Sequence, residues 1–239
     1  DKNGSIKNYS LEIFENYHLD NAYIKELSFK FYEDFMTGVM SLQNKNVEGL
    51  TYLPEENKDQ INNKKINLHD LHYPQYTSVF FNPNNNSLLS DKDFRKALSL
   101  SVDKNRILTE VLNGAGKIIH TPILPGMTGY DESIKTEDFN TVAAAGILDD
   151  LGWTLSEDKQ FRSKTIKAES DDEEDQVEEL SIKLTTIDQS ASVKIVSIIK
   201  ENWEAIGIKT TLDIISKDKI KKDIIDPHEY EVLVFCELI

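Results

Sequence analysis

Apolar residues recur along the chain with two periods, and the changes of period outline its elements. Leu27, Phe29 and Phe31 alternate with Ser28, Lys30 and Tyr32, the spacing of a strand with one buried face. An earlier alternation at Leu11 and Ile13, continued by Phe14, predicts a short strand before the turn-prone ENYHLDN. Asp34 suits a helix N-cap, and Phe35, Val39 and Leu42 follow at helical spacing until Asn44-Lys45-Asn46. Val47 to Leu53 reads as a strand ending at Pro54, and the polar stretch Glu55 to Asp70 as a short helix and a loop. Tyr76 to Phe81 is rich in β-branched and aromatic residues and stops at Asn82-Pro83, so it reads as a strand.

Two short helices follow. Ser90 suits the cap of the first, with Phe94, Ala97, Leu98 and Ser101 on one face. Asp103 suits the cap of the second, with Ile107, Leu108, Val111 and Leu112 apolar and Gly114 at its end. Arg95 and Asp103 read as helix structure, through pairing and capping. The glycines and prolines from Gly114 to Asp131 predict a long irregular connection, after which Asn140 to Leu151 returns to helix and closes at Gly152. Leu180, Ile182 and Leu184 predict a strand, Val193 to Ile206 a helix, and Ile208, Thr210, Leu212 and Ile214 a second strand. The helix carries Ile195, Ile199, Trp203 and Ile206 on one stripe, with Gly207 as its left-handed stop. A helix from Asp218 to Ile225 and a strand from Tyr230 to Cys236 complete the pattern. Strands joined by helices imply right-handed crossovers and locally parallel pairing, hence an α/β fold with a mixed sheet and flanking helices.

Charge sharpens this picture. The chain has 239 residues and a formal net charge of −15, which repels phosphate backbones and anionic lipid and argues against a nucleic-acid partner. Eight carboxylates with no cation lie between Glu169 and Glu179. This run is read as a solvated acidic loop over 157–179. It lacks the glycine that a calcium loop requires for its sharp turn. No stretch reaches the roughly 20 apolar residues that span a bilayer, and the first ten residues lack the apolar core of a signal peptide, so the chain is expected either to be cytosolic or to have a leader outside this sequence. Membrane contact is expected only through such a leader or a lipid anchor.

Candidate chemistry is sparse. Gly114-Ala115-Gly116 lacks the spacing of a phosphate-binding loop and follows a helix instead of a strand. His69 and His72 would share a face only if helical, and Pro74 and Asn67 favour a loop, so no metal site is expected. Cys236, the single cysteine, lies in the apolar run VLVFC, where a buried inert thiol is the default. No nucleophile elbow is present, and no carboxylate pair stands out. The residues alone describe an acidic α/β binding or structural module, with neither enzyme activity nor cofactor expected.

Several segments, in order, resemble the family 5 extracellular solute-binding proteins, which deliver oligopeptides, dipeptides or nickel to ABC importers. The strongest is SVFFNPNNNSLLSDKDFRKALSLSVDKNRILTEVLNGAG, similar to the family's strand ending in Asn82, Asp91, the Arg95-x-Ala97-Leu98 helix, Asp103-Lys104 and Gly114-x-Gly116. Pro122 and Pro125 fit its proline-bearing loop. AAAGILDDLGW, ending at Gly152-Trp153, resembles the next helix end, and LSIKLTT, WEAIGIKTTL and YEVLVFC resemble its later strands and helix-to-strand passage. Asn46 and Glu48-Gly49 depart from the family's Gly-Glu-Val-Asp pattern upstream.

The resemblance implies a periplasmic-binding-protein type II-like lobe. Residues 1–34 would be strands from the inter-lobe or first-lobe region, and residues 35–239 a C-terminal lobe of a two-lobe receptor. Expected function is the substrate-binding component of an ABC importer, with a peptide ligand, permease subunits as partners, a monomeric state and an extracytoplasmic, lipoprotein-type location. Candidate ligand-wall residues are Ser216 and Lys217 after one strand, and Cys236, Glu237 and Leu238 at the end of another, because open α/β sheets place ligands at strand C-terminal ends. Lys217 suits a carboxylate. An alternative is a non-catalytic interaction module that uses the acidic loop or the cleft face.

Overall fold

The computed structural model describes residues 6–19, 22–53, 55–61, 65–69, 75–134, 138–155, 160–168 and 175–238. The chain divides into two compact units, Asp1–Leu71 and His72–Ile239.

In the first unit, β1 (Asn8–Glu12) and β2 (Glu26–Lys30) pair antiparallel, with Tyr9 opposite Phe29 and Leu11 opposite Leu27. Alternation therefore puts the apolar residues on one face and Ser10, Ser28 and the charged residues on the other. β1 ends before Ile13 and Phe14, which the sequence alternation had included. Helix α1 (Phe35–Gln43) starts where predicted, because the Asp34 carboxylate accepts the Thr37 N–H at 2.8 Å and its hydroxyl at 2.9 Å. A 3-10 turn at Glu55–Gln60 follows, tied back to α1 by the Gln43 amide donating to Gln60 O. The strand expected over Val47 to Leu53 does not form. Among the described residues the sheet of this unit is the pair β1 and β2, and none of them offers that segment a strand with which to exchange backbone hydrogen bonds.

The second unit is built on a four-stranded sheet in the order β3-β8-β6-β7. Strand β3 (Gln75–Phe81) is antiparallel to β8 (Val232–Leu238), and β6 (Ser181–Ile187) is parallel to both β8 and β7 (Lys209–Ile215). The mixed α/β sheet read from the sequence is thus present. One face is covered by α2 (Lys92–Leu100), α4 (Thr141–Asp150) and α5 (Ser190–Ala205), with α3 (Lys104–Glu110) alongside. Phe94, Leu98, Leu148, Leu184, Ile199 and Trp203 are almost wholly buried there. Fully burying such side chains contributes roughly 1.5–3 kcal/mol each. The Trp203 indole donates to Leu98 O at 3.2 Å, so its polar atom is satisfied inside the core. Gly207 takes φ +88°, the left-handed stop anticipated after α5.

The other face carries a smaller cluster of Ile187, Ile220, Ile224 and Leu233, closed by a π turn at Ile220–Ile225 where a longer helix from Asp218 was expected. The sequence reading needs further correction at three points. Asp91, not Ser90, caps α2: its carboxylate accepts from Asp93 N and Phe94 N, while Ser90 closes a 3-10 turn and gives its carbonyl to Arg95. Strand β8 begins at Val232 and runs to Leu238, displaced from the expected Tyr230 to Cys236.

The third concerns the acidic loop over 157–179. Strands β4 (Ser163–Ile166) and β5 (Gln176–Glu179) form an antiparallel hairpin within it. Lys164 stands opposite Glu178, and Lys209 meets Glu179 at 2.6 Å, so cations from outside the run offset its charge. At the hairpin's base the buried Arg162 side chain donates to Ile206 O, Trp153 O and the Asp149 carboxylate.

Candidate functional site at the strand ends of the mixed sheet

Because β6, β7 and β8 are parallel, their C-terminal ends share one edge of the sheet. All the candidate wall residues lie there: Ser216 and Lys217 directly follow β7, and Cys236, Glu237 and Leu238 end β8. The two groups are not adjacent, since β6 runs between β7 and β8. Antiparallel β3 brings its first residues to the same edge, with Tyr76 opposite Glu237 and Gln75 opposite Leu238.

Strand β8 outruns β6. Their register pairs Leu184 with Val232 and Thr185 with Leu233, so β6 ends level with Phe235 and the last residues of β8 are flanked only by β3. This explains a further correction: Cys236, for which burial was the default, is exposed. Leu238 is 74% exposed, an apolar side chain presented at the edge.

The polar groups here are partly organised. Tyr76 Oη donates to Glu237 Oε2 at 3.3 Å. Burial pushes the Tyr76 phenol up from its usual range, and the charge and hydrogen bond of Glu237 add to the effect. The Ser216 hydroxyl bonds the Asp218 carboxylate and holds its pKa below the usual value, aided by the Asp218 backbone and the nearby Lys219 charge. The Ser216 carbonyl accepts from Lys219 N and Ile220 N, so this residue is anchored from both ends. Lys217 is exposed. The edge therefore offers a carboxylate oriented by a phenol, a lysine ammonium and an apolar side chain. It suits binding through charge and surface contact. Sequence reasoning missed Tyr76 and Asp218. The first gains its role only through pairing with a residue 161 positions away, whereas Asp218 stood in view beside Ser216.

Among the described residues, no three His, Cys, Asp or Glu side chains group closely enough to hold a metal ion. His69 is exposed, and His72 lies outside the described residues. No helix of the described residues is long and apolar enough to cross a membrane. Two open depressions lie elsewhere: one of about 320 Å³ at Ile6, Tyr9 and Phe31, the other of about 580 Å³ between α2 and α4. Neither coincides with the strand ends.

The model of bacterial extracellular solute-binding proteins, family 5, matches residues 5–235. The oligopeptide-binding protein AppA of Bacillus subtilis is 28% identical over 147 residues, which is 60% of this chain and 26% of AppA. The structure of AppA with a nonapeptide superposes with a TM-score of 0.69 at 21% identity, covering 98% of this chain and 45% of AppA. The substrate-binding protein CtaP of Listeria monocytogenes gives 0.75 at 16% identity, covering 97% of this chain and 43% of its own. NikZ of Campylobacter jejuni, solved with Ni(L-His), gives 0.69 at 16% identity, covering 98% and 44%. The chain spans less than half the length of these solved structures, and its match to the curated relative covers about a quarter of that protein.

Proposed function

Since this chain belongs to the bacterial extracellular solute-binding proteins of family 5, we propose that it forms part of a receptor that binds oligopeptides and hands them to the permease subunits of an ABC importer. In this reading residues 35–239 make up most of a C-terminal lobe, residues 1–34 lie toward the first lobe, and the complete receptor acts outside the cytoplasm, held by a lipid anchor or free in the periplasm. It works as a monomer and binds without turnover.

The observation supporting the reading is that Ser216 and Lys217 after β7, and Cys236, Glu237 and Leu238 at the end of β8, lie on one strand C-terminal edge of a chain whose fold follows a receptor solved around a nonapeptide. An extended peptide seated between two lobes would bond through its backbone, present its charged groups to Lys217 and Glu237, and leave its side chains in hydrated pockets that tolerate variety. Hinge closure of the lobes would then bury it. This lobe supplies one wall.

Isothermal titration of the complete receptor with a tri- to hexapeptide library, with nickel as control, tests the proposal. Saturable heat with peptide supports it. Saturation by nickel alone would reassign the ligand, and no heat with either would remove the receptor reading.

A further inference from the structure

The four-stranded sheet consists of two fully paired ribbons joined by a short seam. Strands β3 and β8 pair over seven positions, from Gln75 opposite Leu238 to Phe81 opposite Val232. Strands β6 and β7 also pair over seven, from Ser181 opposite Lys209 to Ile187 opposite Ile215. That second ribbon is tied past both ends, where Lys209 N donates to Leu180 O and Asp188 N to Ile215 O. Between the ribbons, β6 and β8 pair at two positions, Leu184 with Val232 and Thr185 with Leu233. Each ribbon carries one group of the candidate wall residues: Ser216 and Lys217 follow β7, whereas Cys236, Glu237 and Leu238 end β8. The seam therefore sets how the two groups stand relative to each other.

Two side chains extend the seam, one at each end of its backbone pairs. Glu231, the residue before β8, is held to the β3 side by Asn82 N donating to its carbonyl at 2.8 Å and by the Asn86 amide donating to Oε2 at 3.0 Å. The same Oε2 accepts Lys183 N of β6 at 2.9 Å. At the other end the buried Thr186 hydroxyl of β6 donates to Val234 O of β8 at 2.9 Å. A long parallel ladder resists sliding through many evenly spaced bonds. Over two pairs that resistance is small, and the bonds bracketing them carry a large share of it. The carboxylate acceptor strengthens the first of these bonds, and burial in a low-dielectric interior strengthens the second.

We propose that Glu231 and Thr186 are positioning residues for the ligand wall: they pin the β3–β8 ribbon to the β6–β7 ribbon and so fix the separation of Ser216 and Lys217 from Cys236, Glu237 and Leu238. The proposal rests on the receptor reading only in calling these groups a ligand wall. Glu231 acts from the end of β8 opposite Glu237, without touching the ligand. With both bonds in place, a ligand that meets Lys217 and Glu237 finds them at one set spacing. Without them the ribbons shear by the small slide that packed elements allow.

Spin labels on the full chain, without ligand, test this. Cys236 is the single cysteine and is exposed. Labelling it together with K217C spans the seam, whereas labelling it together with Q75C stays within the β3–β8 ribbon. E231A and T186V each move the 217–236 separation, read from dipolar broadening, by about 1–2 Å and leave the 75–236 separation at its parent value. E231Q, which keeps a carbonyl oxygen for Lys183 N, and T186S, which keeps the hydroxyl, match the parent. T186V preserves the shape of the side chain and supplies the answer if E231A does not fold. A 217–236 separation that stays at the parent value in the folded variants overturns the proposal, and so does an equal change in the 75–236 pair. Because no ligand is present, these outcomes are independent of the receptor reading, which peptide titration decides.

Discussion

The side-chain amide of Asn82, at the end of β3, donates to the carbonyl oxygen of His228 at 2.9 Å across 146 residues of sequence. His228 adopts φ +60°, a left-handed conformation uncommon outside glycine, and Asn85 donates to the same oxygen. Two amides thus fix the turn that feeds β8, and through it the register that carries Cys236 to Leu238 beyond β6.

Replacing Asn82, which is 7% exposed, by alanine removes a buried bond and the acceptor for Asn84 N. The expected loss is about 2 kcal/mol, read as a lower denaturation midpoint. N85A costs less, because Asn85 is exposed and the carbonyl keeps its other partner. H228G relieves the left-handed conformation and is expected to be neutral or to stabilise by about 0.5–1 kcal/mol. A destabilisation as large as that of N82A would show that the imidazole has a packing role.

Arg162 offers a second test. Its buried guanidinium group donates to two carbonyls and to Asp149, closing the ends of α4 and α5 around the base of the β4–β5 hairpin. R162A leaves those buried carbonyls without donors and is expected to cost on the order of 3 kcal/mol. G207A should also destabilise, since a Cβ there would lie 2.7 Å from Arg162 Cγ and the backbone is at φ +88°. Urea unfolding of both variants checks this. Midpoints unchanged from the parent would mean the clamp contributes nothing.

The Asp34 cap makes a prediction about acid. The Thr37 backbone N–H and then its hydroxyl bond the charged carboxylate and hold its pKa below the ordinary 3.8. A group depressed on folding stabilises above its unfolded value and loses that contribution as pH falls through the folded one. Support for α1 should therefore persist to about pH 4 and fade only below it. Carboxyl-detected NMR titration should place Asp34 under 3.8, and T37A should return part of the shift. A midpoint at or above the ordinary value contradicts the cap.

At the strand ends, K217A and E237Q in the complete receptor are expected to weaken peptide binding several-fold at low salt, with the difference shrinking as salt screens the charges. Y76F should have a smaller effect in the same direction as E237Q, because the phenol only orients the carboxylate. Titration calorimetry at two ionic strengths separates these. Unchanged affinity in both charge variants would move the ligand wall elsewhere.

What the sequence determined by itself was local. Alternation at Leu27 to Phe31 marked β2, the stripe Ile195, Ile199, Trp203 and Ile206 marked α5, and Asp34, Asp103 and Gly207 marked helix ends, because periodicity and capping depend on neighbours within a turn or two. The ordered segments around Asn82, Arg95, Gly152 and Trp153 carried the family resemblance, and the candidate residues fall on one edge, in two separate groups, because strand ends in a parallel arrangement share an edge. Tertiary structure decided whatever needs a distant partner. Val47 to Leu53 has strand character but no neighbouring strand among the described residues, whereas the acidic run gains one through β4. Cys236 is exposed because β8 outruns β6, a matter of register. Tyr76 meets Glu237, and Thr186 reaches Val234 O, because sheet order and parity choose which side chains face each other. Those choices are made by pairing across the whole unit and leave no mark on local sequence.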